Sequence, residues 1–321
     1  MKPKIYENMY NEEIKNKFLS KYLNVNTQTL YRKLLSKFGA YEANVSRDLN
    51  TFTIDEIGKL LYWYSPKSRN SASTALSVIK MYRSFSVREG YTSFNLDFSR
   101  LIGDSDINMF LNRKALPLSY LKSQEEFYEI VNHLENYQDS IILILLWNGV
   151  DGFKHSEIVN LRVDNCDFVN NKINIVDENN NLLRKIDVVP KDMSYIKDAT
   201  EEIIYKKGNG KAKGKCTSRE LIKNEYVLRV PVSKSHPLDM KIDPQVIDTR
   251  MKRIKEWCDK THLSPQNIVT SRVMIYLNKL EQENGQLTHN DFDEANKKFG
   301  VNVKQLYNMK ETYEMFKKDI F

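Results

Sequence analysis

Apolar residues recur at helical spacing along most of this chain. Leu30, Leu34, Leu35 and Phe38 mark one face of a helix that Asn26 and Thr27 cap, with Lys33 and Lys37 one turn apart on the other side. Thr53-Ile-Asp-Glu56 is a capping box; Ile57, Leu60, Leu61 and Tyr64 follow it at the same period, and Ser65-Pro66 stops the helix. A third helix is predicted from Ser71 to Arg88. It turns Leu76, Ile79, Tyr82 and Phe85 inward and keeps Arg69, Lys80, Arg83 and Arg88 outside, and Gly90 closes it. Residues 1–110 therefore read as a small helical domain with basic outer faces. The stretch from Thr92 to Leu116 has no strong period and reads as a link.

The remaining residues, 117–321, read as a second domain. Ser123-Gln-Glu-Glu126 is another capping box, opening a helix with Phe127, Ile130, Val131 and Leu134 inward. Ile141 to Trp147 is an unbroken apolar run, too short to span a bilayer and suited to a core helix. Gly149 and Gly152 then supply a tight corner, and a helix near Ser156–Arg162 carries Ile158, Val159 and Leu161 inward. Lys154 stands at that corner as a charge positioned by a buried helix.

Lys172–Asp177 and Leu182–Val189 are β-rich runs around an Asn-rich turn, which predicts a hairpin. A helix from Asp192 to Tyr205 is expected next. Lys206–Lys215, KKGNGKAKGK, reads as a flexible surface loop, with phosphate contact as the alternative; it lacks P-loop spacing. Asp243-Pro244, Ser264-Pro265 and Thr288 each cap a further helix, and a last one runs from Val303 to Phe321. The fold class is mainly α with a small β hairpin, an α+β arrangement in two domains.

Composition narrows the function. The formal net charge is +7, and residues 1–110 hold 16 basic against 11 acidic side chains, leaving 33 against 31 for the rest. That balance admits a polyanionic partner. Three scattered cysteines suit a reducing cytoplasm and give no zinc spacing, and no apolar run suits a signal peptide or membrane span. No dinucleotide turn, metal cluster or nucleophile elbow is present, so no cofactor or metal is expected.

The stretches NTQTLYRKLLSKF, FTIDEIGKLLYW and SASTALSVIKMYRSFSVREGY resemble the core-binding domain of the tyrosine recombinases, the lambda-integrase-like proteins. LLWNGVDGFKHSEIVNLRVDNCDF resembles that family's first catalytic box, usually close to TGLRxSELLxLxWxDID, and LSPQNIVTSRVMIYL its second, near TPHDLRHTFAT. The resemblance runs from about residue 20 onward. It implies a helical core-binding domain joined to an integrase-like catalytic-type domain, the two closing on duplex DNA from opposite sides.

The chemistry that the resemblance implies is not carried over. In that family two arginines, a His or Lys pair and a hairpin lysine stabilise a phosphorane while a tyrosine attacks. Here the first arginine position holds Lys154, and the second box holds Gln266, Val269 and Thr270 at its chemical positions. The third-box histidine position holds Val301, and neither Tyr307 nor Tyr313 has the family's spacing to it. A hairpin base remains as Arg184 or Lys185. Lysine is a point charge without the bidentate fork of arginine, and valine offers no donor.

The expectation is a non-catalytic, sequence-specific binder of operator DNA that represses phage or prophage genes from the cytoplasm. Lys154, Arg272, Lys33, Lys37, Arg69, Lys80, Arg83, Arg184 and Lys185 are its candidate contacts. Arg272, one turn after Val269, has two readings, a contact in the same groove or a plain surface cation. A second copy of the chain or a regulatory protein is a further candidate partner. The alternatives are a divergent active recombinase using Tyr307 or Tyr313, and an interaction module that has lost DNA binding.

Overall fold

The computed structural model describes residues 9–66, 69–93, 120–177, 179–233, 241–260, 262–300 and 306–320. The backbone divides into two compact units, Met1–Leu116 and Pro117–Phe321.

The first unit holds α1 (Glu12–Leu19), α2 (Val25–Val45), a 3-10 turn (Leu49–Thr51), α3 (Ile54–Tyr64) and α4 (Arg69–Arg88). Local signals place α3 as the pattern requires. The Thr53 hydroxyl accepts the Glu56 N–H while the Glu56 carboxylate accepts the Thr53 N–H, and Ser65 turns left-handed before Pro66. Two expectations fail in α2. Its cap is Asn24, whose side chain accepts the Asn26 and Thr27 N–H groups, so the helix starts earlier and runs longer. Its inward face is Tyr31, Leu34, Leu35 and Phe38, with Tyr31 stacked against Phe18, and Leu30 is left 46% exposed. Leu30 and Tyr31 are adjacent apolar residues, so the period alone allowed two phases.

Helix α1 had no sequence reading, because it buries a charge among its apolar residues. Lys15 is fully buried, with Nζ 2.6 Å from both Glu42 carboxylate oxygens and 2.7 Å from the Tyr10 carbonyl. Glu42 also accepts the Leu49 N–H, and neighbouring Asp48 accepts the Tyr82 hydroxyl. Burial pushes the Glu42 carboxyl up to about 7 against the pull of Lys15. The pair thus ties α1, α2 and the 3-10 turn together at a real desolvation cost.

The second unit holds α5 (Gln124–Asn132), α6 (Tyr137–Trp147), α7 (Ser156–Asn160), β1 (Cys166–Asp167), β2 (Lys172–Val176), β3 (Leu182–Asp187) and α8 (Pro190–Glu201). These are followed by β4 (Ile204–Lys206), β5 (Ser218–Glu220), α9 (Pro244–Trp257), α10 (Pro265–Asn284), α11 (His289–Lys298) and α12 (Leu306–Asp319). Helix α6 is the centre, every residue from Gln138 to Trp147 being buried. A helix without a polar face must be covered on all sides, and α5, α8, α9 and α10 cover this one. A second apolar cluster joins α10, α11 and α12 through Met274, Leu277, Phe292, Tyr313 and Phe316.

The hairpin pairs Ile173 with Ile186 and Ile175 with Arg184 in an antiparallel sheet of order β1-β2-β3. The helix after it differs from expectation. Pro190 opens it at the first position, where a missing N–H costs nothing, and it ends at Glu201. Tyr205 therefore belongs to β4, not to a helix, and its hydroxyl donates to buried Asp139. The lysine-rich loop is also not the free loop expected. Asn209 is 2% exposed; its Oδ1 accepts the Glu135 N–H and its Nδ2 donates to the His133 carbonyl. Val301–Gln305 lie outside the described residues, as does the Thr92–Leu116 link from residue 94 on. No helix among the described residues is long and apolar enough to cross a membrane.

Removing one member of the Lys15–Glu42 pair strands the other in the core. Glu42→Leu should destabilise the protein by about 3–5 kcal/mol, and Lys15→Met with Glu42→Leu should recover most of that loss. Urea unfolding of the three variants checks it; a single variant close to wild type contradicts it.

Candidate nucleic-acid interface

The corner after α6 is built by backbone constraints. Gly149 has φ +78°, and a Cβ there would lie 2.6 Å from the Phe299 Cα and carbonyl oxygen, so only glycine fits. Lys154 and His155 are both left-handed, at φ +53° and +62°, a conformation that costs each about 1 kcal/mol and needs outside support. Hydrogen bonds supply it. The Glu157 N–H donates to the Asp151 carbonyl while the Glu157 carboxylate accepts the Asp151 N–H. His155 Nδ1 lies 2.5 Å from the Asp151 carboxylate, and its Nε2 3.6 Å from Asp248 on α9. The Asp151 hydrogen bond holds the His155 pKa above its ordinary value against the opposing effect of burial.

This support leaves Lys154 exposed at the tip, its ammonium 5.3 Å from the ring of Phe153, itself 81% exposed. The cation is presented to solvent, while at the same corner Asp151 and Asp248 face His155.

Strand parity separates the two hairpin cations. Arg184 shares the inward face of Ile186 and Val188, while Lys185 points to solvent. The Arg184 Nη2 donates to the Gly149 carbonyl at 2.8 Å and to the Glu157 carboxylate at 2.5 Å. Its other terminal nitrogen has no hydrogen-bond partner and lies where a Cβ on Gly300 would have to be. Arg184 is thus a bolt across the corner, β3 and the end of α11, already neutralised by Glu157.

The second box forms the start of α10, capped by Ser264. Gln266 is exposed and donates to the Thr270 hydroxyl at 3.3 Å. Val269 is 8% exposed and packs in the apolar core. Arg272 is not a surface cation. Its guanidinium sits 5.1 Å from the Trp147 ring and 5.5 Å from the Phe299 ring, and burial pushes its pKa down. The nearby buried carboxyl of Asp192 accepts from Tyr128 and Asn148.

Tyr313 is 1% exposed and its hydroxyl donates to Glu281 at 2.8 Å; burial, then that bond, raises the phenol pKa. Val301 and the Tyr307 side chain lie outside the described residues.

In the first unit Lys33 and Lys37 are exposed on α2. Lys80 is half-buried on α4, and the Arg69 side chain lies outside the described residues. Arg83 corrects its expectation. It is 1% exposed and donates to the Leu49 and Phe52 carbonyls at 2.9 and 2.6 Å, so it braces the 3-10 turn instead of facing solvent. It lies four residues after Ile79, a spacing that already marked the inward face.

Two family models match the chain: "MrpR, C-terminal catalytic domain" over residues 121–319 and "MrpR, N-terminal core-binding domain" over residues 9–88. The chain belongs to the MrpR family. Its pair of core-binding and catalytic-type domains is the two-domain architecture of a tyrosine recombinase. A protein of Bacillus subtilis (strain 168), the "SPbeta prophage-derived uncharacterized protein YopR", is 26% identical over 302 residues, covering 93% of this chain and 91% of that one. A solved structure titled "Crystal structure of XerA recombinase" aligns over 95% of this chain and 98% of that one, at 12% identity and a TM-score of 0.39.

The His155 clamp carries a pH signature. Because the folded pKa is raised, its stabilisation is complete below the unfolded value and is lost as pH rises through the folded one. Unfolding midpoints of wild type and His155→Gln should therefore converge as pH rises above the ordinary imidazole value of about 6.5. A gap that widens with pH contradicts the clamp.

Proposed function

We propose that this protein is a sequence-specific DNA-binding repressor of phage or prophage genes, working on operator DNA in the cytoplasm of a bacterial host, on a recombinase scaffold without strand cleavage. The observation that carries this reading is the fate of the phosphate-holding positions. Val269 is part of the core, and Arg184 is bound by Glu157. Lys154 supplies one point charge where a bidentate fork would stand. Loss of one preorganised donor costs on the order of 10²–10³ in rate, and several are missing here. The buried Tyr313 phenol, held by Glu281, speaks against it as a nucleophile. The prophage origin of the relative from Bacillus subtilis supports the phage or prophage setting of this reading.

Binding asks for less than cleavage. Backbone phosphates need cations at the surface, and these position a protein without reading sequence. Lys33, Lys37, Lys154 and Lys185 are exposed and suited to that task. Arg83 has no such role, being committed to backbone carbonyls.

Gel shifts on fragments of the source genome test the reading. A salt-sensitive complex on particular fragments is expected, and no specific complex on any fragment overturns it. Lys154→Ala should weaken binding to every duplex alike, because a phosphate contact positions and does not specify. Altered base preference at unchanged affinity would contradict that assignment.

A further inference from the structure

We propose that the β4–β5 ribbon is a second DNA contact, made to backbone phosphates through Lys211, Lys213, Lys215 and Arg219. This rests on the DNA-binding reading above and goes beyond the corner at Lys154. Residues 206–220 carry six cations against the single acid Glu220. Without them, the remainder of the second unit, residues 117–321, holds 25 Lys and Arg against 30 Asp and Glu, a negative balance. The second unit as a whole is balanced, 31 against 31, so its positive charge is concentrated in this ribbon, and a polyanion approaching that unit meets its attraction there.

A lysine-rich loop that serves only solubility has no reason to be fixed, yet this one is pinned at several points. The Asn136 side chain donates to the Lys206 carbonyl and accepts the Lys206 N–H, at 2.9 and 2.7 Å. Asn209 takes a left-handed conformation, φ +52°, to place its buried amide on the His133–Glu135 turn. Lys207 closes the loop by donating to the Cys216 carbonyl at 2.8 Å. The strands pair Tyr205 with Arg219 and Lys206 with Ser218. Lys206 is engaged by Glu135, whereas Lys211, Lys213, Lys215 and Arg219 are exposed on this fixed frame. A frame ordered in advance loses little freedom when a ligand binds.

Position separates the ribbon from the recombinase-like corner. The ribbon is pinned to residues just before α6, and the corner follows its far end. Eleven helical residues put the two anchors roughly 16 Å apart. The two basic sites therefore stand at opposite ends of one rigid buried helix.

The test uses the full chain carrying Lys211→Gln, Lys213→Gln and Lys215→Gln together, with binding measured over a range of salt on a genomic fragment and on an unrelated duplex. Each phosphate contact adds about 0.9 to the slope of log affinity against log salt, so the triple variant should have a slope shallower by roughly 2–3. Both duplexes should lose affinity by a similar factor, with the unfolding midpoint unchanged. If the wild type binds no duplex, the DNA-binding reading itself falls. If the wild type binds and the triple variant keeps its slope and affinity, the ribbon proposal alone is overturned.

Discussion

Everything in the second unit depends on the burial of α6. With Ile141 to Trp147 apolar and no residue after Gln138 reaching solvent, four helices must pack around it, and its two ends become fixed points. At the far end Gly149 meets the Phe299 backbone, and the corner can turn only through left-handed residues. At the near end Asn136 and Asn209 fasten the ribbon. Lys154 and the ribbon lysines are presented from these two ends, so their placement follows from packing and not from loop chance.

The same corner shows how structural demands take up the charged groups of this scaffold. The hydrogen bonds that hold Lys154 and His155 in strained backbone need Asp151 and Glu157. Those carboxylates, with Asp248, draw positive charge onto themselves: His155 answers Asp151, and Arg184 answers Glu157. Lys154 is left exposed at the corner beside these acids. Meanwhile Val269 and Arg272 serve packing, one among aliphatic residues and one between aromatic rings.

Local signals were legible in the sequence. The Thr53–Glu56 box, Asp243-Pro244 and the β2–β3 hairpin act within a few residues, so their spacing suffices. Periodicity failed where chemistry and phase disagree. Lys15, Glu42 and Arg83 lie on inward faces, but a charged residue reads as exposed until a buried partner is known. Strand parity placed Arg184 inward and Lys185 outward, yet the choice stayed open because the deciding groups, Gly149 and Glu157, are distant along the chain. Asn209 gave no signal at all. Its partners lie more than 70 residues away, and only the fold brings them together.

The central claim is that DNA is held here without being cut, and covalent trapping on a nicked suicide duplex tests it most directly. The account predicts a non-covalent complex and no protein–DNA adduct that survives denaturation. An adduct that forms with the wild type and disappears with Tyr307→Phe or Tyr313→Phe would contradict it.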